Sequence, residues 1–289
     1  MRIFQPYPHV FAFYDGRPDT PVLDPKSWVD DGALALGIAS YAVIAGKQAI
    51  VYDTHTTLEH ARAVRAALEK AGVKRIRVVL SHWHLDHIAG NEVFSDCEII
   101  AHRLTDEAMH EHKAGIEDGT FHGPPAINPL VMPSIIFDGR LDIELGEHRV
   151  ELHRFDIHSA DGVVLYLPGD RLLLAGDTLE DTVTYVSEAE GIETHIAELE
   201  RMSKMPIDRI LPNHGDAGLI ATGGYEKTLI RAQQQYLRAL LRMPDDEALR
   251  EKPLKEIIAG PLMTGWVTWF DGYERVHKQN IERVTKRKS

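Results

Sequence analysis

The chain has 289 residues, enough for one large domain with a full core, and its 44% hydrophobic and 26% charged content is that of an ordinary globular protein. A formal net charge of −12 argues against a nucleic-acid partner, whose phosphates call for clustered Lys and Arg, and the basic tail Lys286-Arg287-Lys288 is too short to reverse it. The single cysteine, Cys97, excludes an internal disulfide; with no apolar run near the roughly 20 residues of a membrane span and no signal-peptide pattern at the start, a cytoplasmic location is expected.

In chain order, residues 10–14 read as a strand, and residues 41–45 and 48–52 as a hairpin turned at Gly46-Lys47. Between them lies a polar, Pro- and Asp-rich stretch, 15–31, that carries Trp28. Thr56 and Glu59 form a capping box, after which Leu58, Ala61, Val64, Leu68 and Ala71 recur at helical spacing until Gly72. The apolar run 76–80 is of strand length, so the unit is strand–helix–strand, which favours an α/β fold. A strand at 98–101 and a helix at 105–113 follow, then a loop at 115–133 rich in Gly and Pro that is expected over a functional face.

The pattern then turns to strands at 135–137, 141–144, 149–157, 163–167 and 171–175, a helix at 192–204 and a strand at 209–211. From about 224 the chain is mostly helical, broken at Pro244, Pro253 and Pro261. The expected organisation is a catalytic domain of residues 1–223 and a helical extension, 224–289, packed on it. Within that extension Trp266, Phe270, Tyr273, Val276 and His277 stand at spacings of three and four, a stripe expected to dock on the core or on a partner chain.

Sixteen histidines justify a search for metal-ligand spacing, and the segment Val78-Val79-Leu80-Ser81-His82-Trp83-His84-Leu85-Asp86-His87 answers it. A buried strand ends, and four metal-competent side chains appear at once. His82 and His84, two apart in extended chain, point to the same side and can grip one ion. Asp86 and His87, adjacent where the chain turns, can reach a second. Four ligands cannot fill two sites, and three more stand at strand ends: His158, Asp177 in Gly176-Asp177, and His214 in Pro212-Asn213-His214-Gly215. Open α/β sheets gather ligands at the carboxyl ends of strands, so these ends are expected to meet at one edge. Taken singly, a strand-end Asp is more often a turn former, and a strand-end His a partly exposed residue.

These residues resemble the metallo-β-lactamase superfamily. Its His-x-His-x-Asp-His signature stands here as His82, His84, Asp86 and His87, its later motifs as His158, Gly176-Asp177-Thr178 and His214, and its early structural aspartate as Asp53. The resemblance covers roughly residues 10–220 and implies a four-layer αβ/βα sandwich, the metallo-β-lactamase fold, with a helical C-terminal extension. By it, His82, His84 and His158 bind one metal, Asp86, His87 and His214 a second, and Asp177 bridges them. The implied cofactor is Zn2+, two per chain, with iron or manganese as alternatives.

The reaction so implied is hydrolysis of a carbonyl ester-type bond (ester, lactone or thioester) by a metal-bridging hydroxide, with Asp86 as the catalytic group that orients it and takes its proton. A bridging aspartate is typical of the thioesterase, lactonase and phosphodiesterase branches, whereas β-lactamases carry Cys or Ser there. An amide hydrolase of the β-lactamase type is therefore the first alternative, and a mononuclear iron oxygenase of the persulfide dioxygenase type the second. Lactonases of the family carry a tyrosine where this chain has Glu180, and the basic glutathione-binding motif of glyoxalase II has no match beyond residue 224.

Trp28, Trp83, Phe121 and Tyr185 are the aromatic candidates for a substrate pocket, although packing in the core is the commoner fate of such rings. His60, His110, His112, His148, His153 and His195 read as structural, and Cys97 as a small packed residue. His122, in the long loop, could line the pocket. The expected partner is a small-molecule substrate, with no nucleic acid and no membrane, and a homodimer stays open.

Overall fold

A computed structural model describes residues 1–17 and 27–287, so most of the polar stretch expected at 15–31 lies outside the described residues. Seven strands form the first sheet in chain order: β1 (Arg2–Tyr7), β2 (Val10–Asp15), β3 (Ile38–Ala45), β4 (Gln48–Tyr52), β5 (Arg75–Val79), β6 (Glu98–His102) and β7 (Ile135–Phe137). Six form the second: β8 (Arg140–Leu145), β9 (His148–Arg154), β10 (Val163–Leu167), β11 (Leu172–Gly176), β12 (Arg209–Pro212) and β13 (Tyr225–Glu226), with β8 and β13 at its edges. From β4 to β7 the pairing is parallel, and so is β11 with β12; every other neighbouring pair is antiparallel.

The period of two along each strand builds three apolar layers. Val10, Tyr41, Val43, Ile50 and Tyr52 of the first sheet face Leu152, Val163, Leu165, Leu174 and Leu211 of the second. Phe13, Ala42, Val51 and Val78 point the other way, onto α1 (Leu58–Lys70) and α3 (Arg103–Asp118). Val164, Tyr166, Leu173 and Ile210 likewise turn outward onto α4 (Ile192–Met202), α6 (Thr228–Arg242) and α10 (Tyr273–Lys286). The result is the αβ/βα sandwich expected above, with C-terminal helices on the outer face of the second sheet. Short helices α2 (Leu85–Ile88), α5 (Ala217–Ala221), α7 (Glu247–Arg250), α8 (Leu254–Ile257) and α9 (Ala259–Met263) connect these elements. Among the described residues no helix is long and apolar enough to cross a membrane.

Several boundaries differ from the sequence reading, each for a local reason. β1 is an additional edge strand. The cap of α1 is Thr57, which accepts the His60 N–H at 3.2 Å, while the Thr56 hydroxyl meets the rings of His55 and His60 at 3.1 Å each. α3 runs through Gly115 to Asp118: Gly115 is not a breaker but a contact point, where a Cβ would come 3.2 Å from that of Phe121. β9 stops at Arg154, three residues early, as the chain folds into the turn that presents His158. In the C-terminal stripe only Tyr273, Val276 and His277 are helical. Trp266 and Phe270 precede the helix, on a segment held where Asp181 accepts the Thr268 N–H at 2.8 Å.

Candidate metal centre

The first four expected ligands leave β5 on a segment tied down residue by residue. Ser81 donates its N–H and its hydroxyl to the two oxygens of buried Asp53, at 2.6 Å each. Trp83 donates its N–H to Asp161 Oδ2 at 2.9 Å. The single turn α2 then projects Asp86 and His87, and its His87 carbonyl accepts the Thr54 N–H at 2.8 Å. His158 sits in the left-handed region at φ 68°, and Asp177 follows β11. The residue before Asp177 has to be Gly176: its φ is +56°, and a Cβ would come 2.9 Å from both Ser81 Cβ and Tyr52 Oη. His214 follows β12, where Asn213 donates to Asp53 Oδ2 at 2.5 Å. Three tyrosine hydroxyls of the first sheet cross to backbone carbonyls of the second: Tyr14 to Gly215 at 2.9 Å, Tyr41 to Pro212 at 2.5 Å and Tyr52 to Val163 at 2.5 Å. They hold the strand ends of both sheets at one edge.

All seven expected ligands meet there, in two groups. His84 Nδ1 lies 3.0 Å from both His82 Nε2 and His158 Nε2. Asp86 Oδ2 lies 3.4 Å from His87 Nε2 and 3.3 Å from His214 Nε2. Asp177 Oδ2 stands between the groups, 3.1 Å from His87, 3.5 Å from His214 and 3.7 Å from each of His82 and His158. Ligands about 2.0–2.1 Å from a tetrahedral zinc ion lie about 3.4 Å from each other, so these spacings are the edges of two ion-sized cages sharing one corner.

Hydrogen bonds among neutral imidazoles leave the arrangement unsatisfied. His87 Nδ1–H donates to Asp53 Oδ2 at 3.0 Å, His158 Nδ1–H to Tyr185 O at 3.1 Å and His214 Nδ1–H to Gly37 O at 2.7 Å. The Ser81 hydroxyl is committed to Asp53, so its oxygen accepts from His82 Nδ1–H at 2.9 Å. Four imidazoles are thus fixed in the tautomer that aims an Nε2 lone pair inward, the usual outer support of a metal-binding histidine. Asp177 Oδ1 is buried with no hydrogen-bond partner among the described residues. Charge points the same way. Burial resists protonation of His87 and His214, yet Asp177 and Asp86 outweigh it and hold both well above the usual histidine range. Burial likewise resists ionisation of Asp177, but His87 and His214 hold its carboxyl well below the usual range. The cluster demands positive charge, which divalent cations supply in place of protons. The residues present fit a pair of metal ions.

A cavity of about 600 Å³ opens over the cluster. Trp28, Trp83, Phe121 and Tyr185 all line it, as does His122. Trp28 Nε1–H donates to Pro125 O at 3.0 Å, which joins the segment before β3 to the loop after α3. His112 stacks on Trp83 and on Phe121, with centroids 4.7 Å apart in each pair, and backs this aromatic wall.

The sequence reading did not assign Glu180, Glu188, Arg275, Gln279 and Arg283 to this pocket, although all five line it. The last three stand four apart on α10, a polar stripe visible in the sequence once the helix start is known. Glu180 accepts the Tyr185 N–H at 2.8 Å and lies 3.5 Å from His158 Nδ1. Asp161 and Asn213 were missed as supports, since nothing distinguishes a buried tether from a turn residue before the fold is known. Elsewhere, His55 stacks on His60 away from the cavity and His102 caps α3. The Cys97 thiol is pushed up to about 11 by burial and by Asp96, which leaves it inert.

A family model described as the metallo-beta-lactamase superfamily matches residues 34–214. Curated relatives include a linear primary-alkylsulfatase of Pseudomonas sp., 23% identical over 286 residues that cover 81% of this chain and 52% of the relative. A hydroxyacylglutathione hydrolase of Brucella ovis is 29% identical over 200 residues, 68% of this chain and 64% of the relative. A beta-lactamase-like protein 2 homolog of Caenorhabditis elegans is 24% identical over 182 residues, 62% of this chain and 56% of the relative. The chain therefore spans between about half and two thirds of the length of these relatives. Among solved structures, VMB-1 superposes with a TM-score of 0.60 at 16% identity, covering 81% of this chain and 94% of that one. The DIM-1 metallo-beta-lactamase does so with a TM-score of 0.56 at 20% identity, covering 80% and 96%. At these identities the structural likeness speaks to the fold.

Proposed function

The chain belongs to the metallo-β-lactamase superfamily, and on that footing we propose that it is a dinuclear metal hydrolase, with zinc as the fitting ion, that cleaves an ester, lactone or thioester. The observation that carries this reading is the position of Asp177 Oδ2, within 3.1–3.7 Å of four imidazole nitrogens drawn from both ligand groups. His82, His84 and His158 would hold one ion, Asp86, His87 and His214 the other, and Asp177 both. Bound there, such a pair supplies an activated water at neutral pH and polarises an acyl oxygen.

The chain's own residues do the rest. Burial opposes the charge on Asp86, but His87 and His214 outweigh it and keep the carboxylate ionised. With Oδ2 held among the ligands, its other oxygen is left to orient the attacking water and receive its proton. Trp28, Trp83 and Phe121 receive the apolar part of a substrate, while Arg275, Gln279 and Arg283 from α10 form the polar wall and favour a substrate with an anionic or strongly polar end. The names of two relatives, a hydroxyacylglutathione hydrolase and an alkylsulfatase, support ester-type chemistry. The second ligand group speaks against a mononuclear iron oxygenase, which requires only one.

A panel of esters, lactones, thioesters, alkyl sulfates and β-lactams, assayed with zinc-loaded protein before and after chelation, tests the reading. Metal-dependent turnover highest on one of the first three classes is expected. Preference for β-lactams would replace it with the amide-hydrolase reading, and no metal-dependent turnover on any class would remove it.

A further inference from the structure

We propose that Asp156, Glu188 and His195 form a further divalent-cation site, separate from the central cluster, that fastens the rim of the cavity to the second sheet. One potential ligand atom from each lies within 4.8 Å of the others. They come from three segments: Asp156 from the turn after β9, Glu188 from the cavity rim, and His195 from the first turn of α4.

The imidazole carries the argument. His195 is 2% exposed, and its Nε2 has no hydrogen-bond partner among the described residues, a buried acceptor left unmet. That nitrogen faces Asp156 Oδ1 at 3.8 Å, too far for a hydrogen bond but a fitting span for two ligands on either side of one ion. The residue beside it is Gly191, where a Cβ would come within 2.8 Å of Nε2, so any side chain there would crowd the nitrogen. Burial, against weaker support from Asp156, pushes the His195 pKa down to about 4, which leaves the ring neutral with a lone pair to offer.

The carboxylates complete the set. Asp156 gives Oδ2 to Arg154 at 3.0 Å and presents Oδ1 to the imidazole. Glu188 accepts the Ala160 N–H at 3.2 Å through Oε1, which anchors the carboxylate. Its carboxyl is pushed up by burial, with Asp156 and Asp161 adding to the crowding of negative charge that a cation would relieve. An imidazole with two carboxylates suits zinc or manganese.

The group His9, His148 and Asp170 shows the contrast. There the imidazoles stack at 4.2 Å with planes 24° apart, and His9 Nε2 already bonds Asp170 at 2.9 Å. In-plane lone pairs of stacked rings run side by side and do not converge on one ion. At His195 the nitrogen is unsatisfied, and Asp156 and Glu188 stand in the same group of potential ligands.

An ion at this site would pin Glu188 and, with it, Ser187, which lines the cavity and donates its hydroxyl to the His158 carbonyl. The full chain, equilibrated with micromolar buffered free zinc, gives the test by zinc content per chain and by amide exchange across residues 185–191. Wild-type protein should hold one zinc more than either Glu188→Gln or Asp156→Asn, and zinc should slow exchange on the rim further in wild type than in either variant. His195→Gln, the buried change, should match the two carboxylate variants, whose partly exposed positions leave the core intact. Equal zinc content in wild type and both carboxylate variants, or an extra ion bound only at millimolar zinc, would overturn the proposal.

Discussion

The strand-end cluster and the rim of the cavity lie within a few ångströms of each other but are built on opposite terms. In the cluster, ligands from four strand ends are fixed by buried partners: Asp53 alone accepts from Ser81, His87 and Asn213. The rim is an assembly of loops and one face of α10, whose residues reach the cavity from segments distant in sequence. The difference teaches where change is tolerated. A cluster held from every side keeps one geometry and hence one chemistry, while a rim carried on loops can be refitted to another substrate without moving the metals.

Removing α10, which packs on the second sheet and lines the rim, should have the largest effect. Truncation at Gly260 strips Tyr273, Val276 and Val284 from the outer face of the second sheet, where all three are buried. At about 1.5–3 kcal/mol for each buried side chain, the loss approaches the whole stability of a domain, about 5–15 kcal/mol. The truncated chain is expected to be insoluble or molten by near-UV circular dichroism and gel filtration; a monodisperse, active product would show that α10 is rim alone.

Asp177→Asn should leave the fold intact and break the cluster. It removes the charge shared by the two ligand groups, so the expected protein holds about one metal with turnover down on the order of 10²-fold or more. Metal content and rate measured on one preparation decide the matter: two tightly held ions with near-normal turnover would take Asp177 out of the site.

Asp53→Asn touches no metal. It puts an amide among donors that need an acceptor, so His87 loses its orientation. Metal affinity should fall about 10–100-fold, the usual scale for an outer support, as read by competition with a chelating dye. An unchanged affinity would mean that α2 alone positions His87.

The smallest expected effect lies on the rim. Trp28→Ala should raise KM on the order of tenfold, about the burial of part of one indole, with metal content and kcat kept. A matching loss of bound metal would show that rim and cluster are coupled, contrary to the comparison above.

The cluster was the legible part of this chain because its information is local. His82, His84, Asp86 and His87 occur within one turn of chain after a buried strand, and His158, Asp177 and His214 each follow a run of strand character. The strands themselves were legible for the same reason: β10 and β11, buried along their whole length, are short apolar runs bounded by turns. The misses were of another kind. Thr57 rather than Thr56 caps α1, with the Thr56 hydroxyl turned to two imidazoles, and Gly115 continues a helix beside Phe121. Both depend on how neighbouring side chains pack once the chain is folded, which residue type and spacing do not report.

From the sequence by itself came the period of two that lays out the sheets, the helical stripes that cover them, and the order of seven metal-competent residues at strand ends. Those are properties of residue type and spacing, which act over a few bonds. Only the tertiary structure decided that Asp177 Oδ2 stands between two groups of imidazoles, that Asp53 holds His87, and that Arg275, Gln279 and Arg283 reach the cavity from the far end of the chain. It also decided that the imidazole of His195, one of many on a helix, is left unsatisfied beside two carboxylates. The physical reason is common to all four: lone pairs, buried charge and cavity walls depend on which atoms meet across the packed sheets, and residues far apart in sequence become neighbours only when the core has formed.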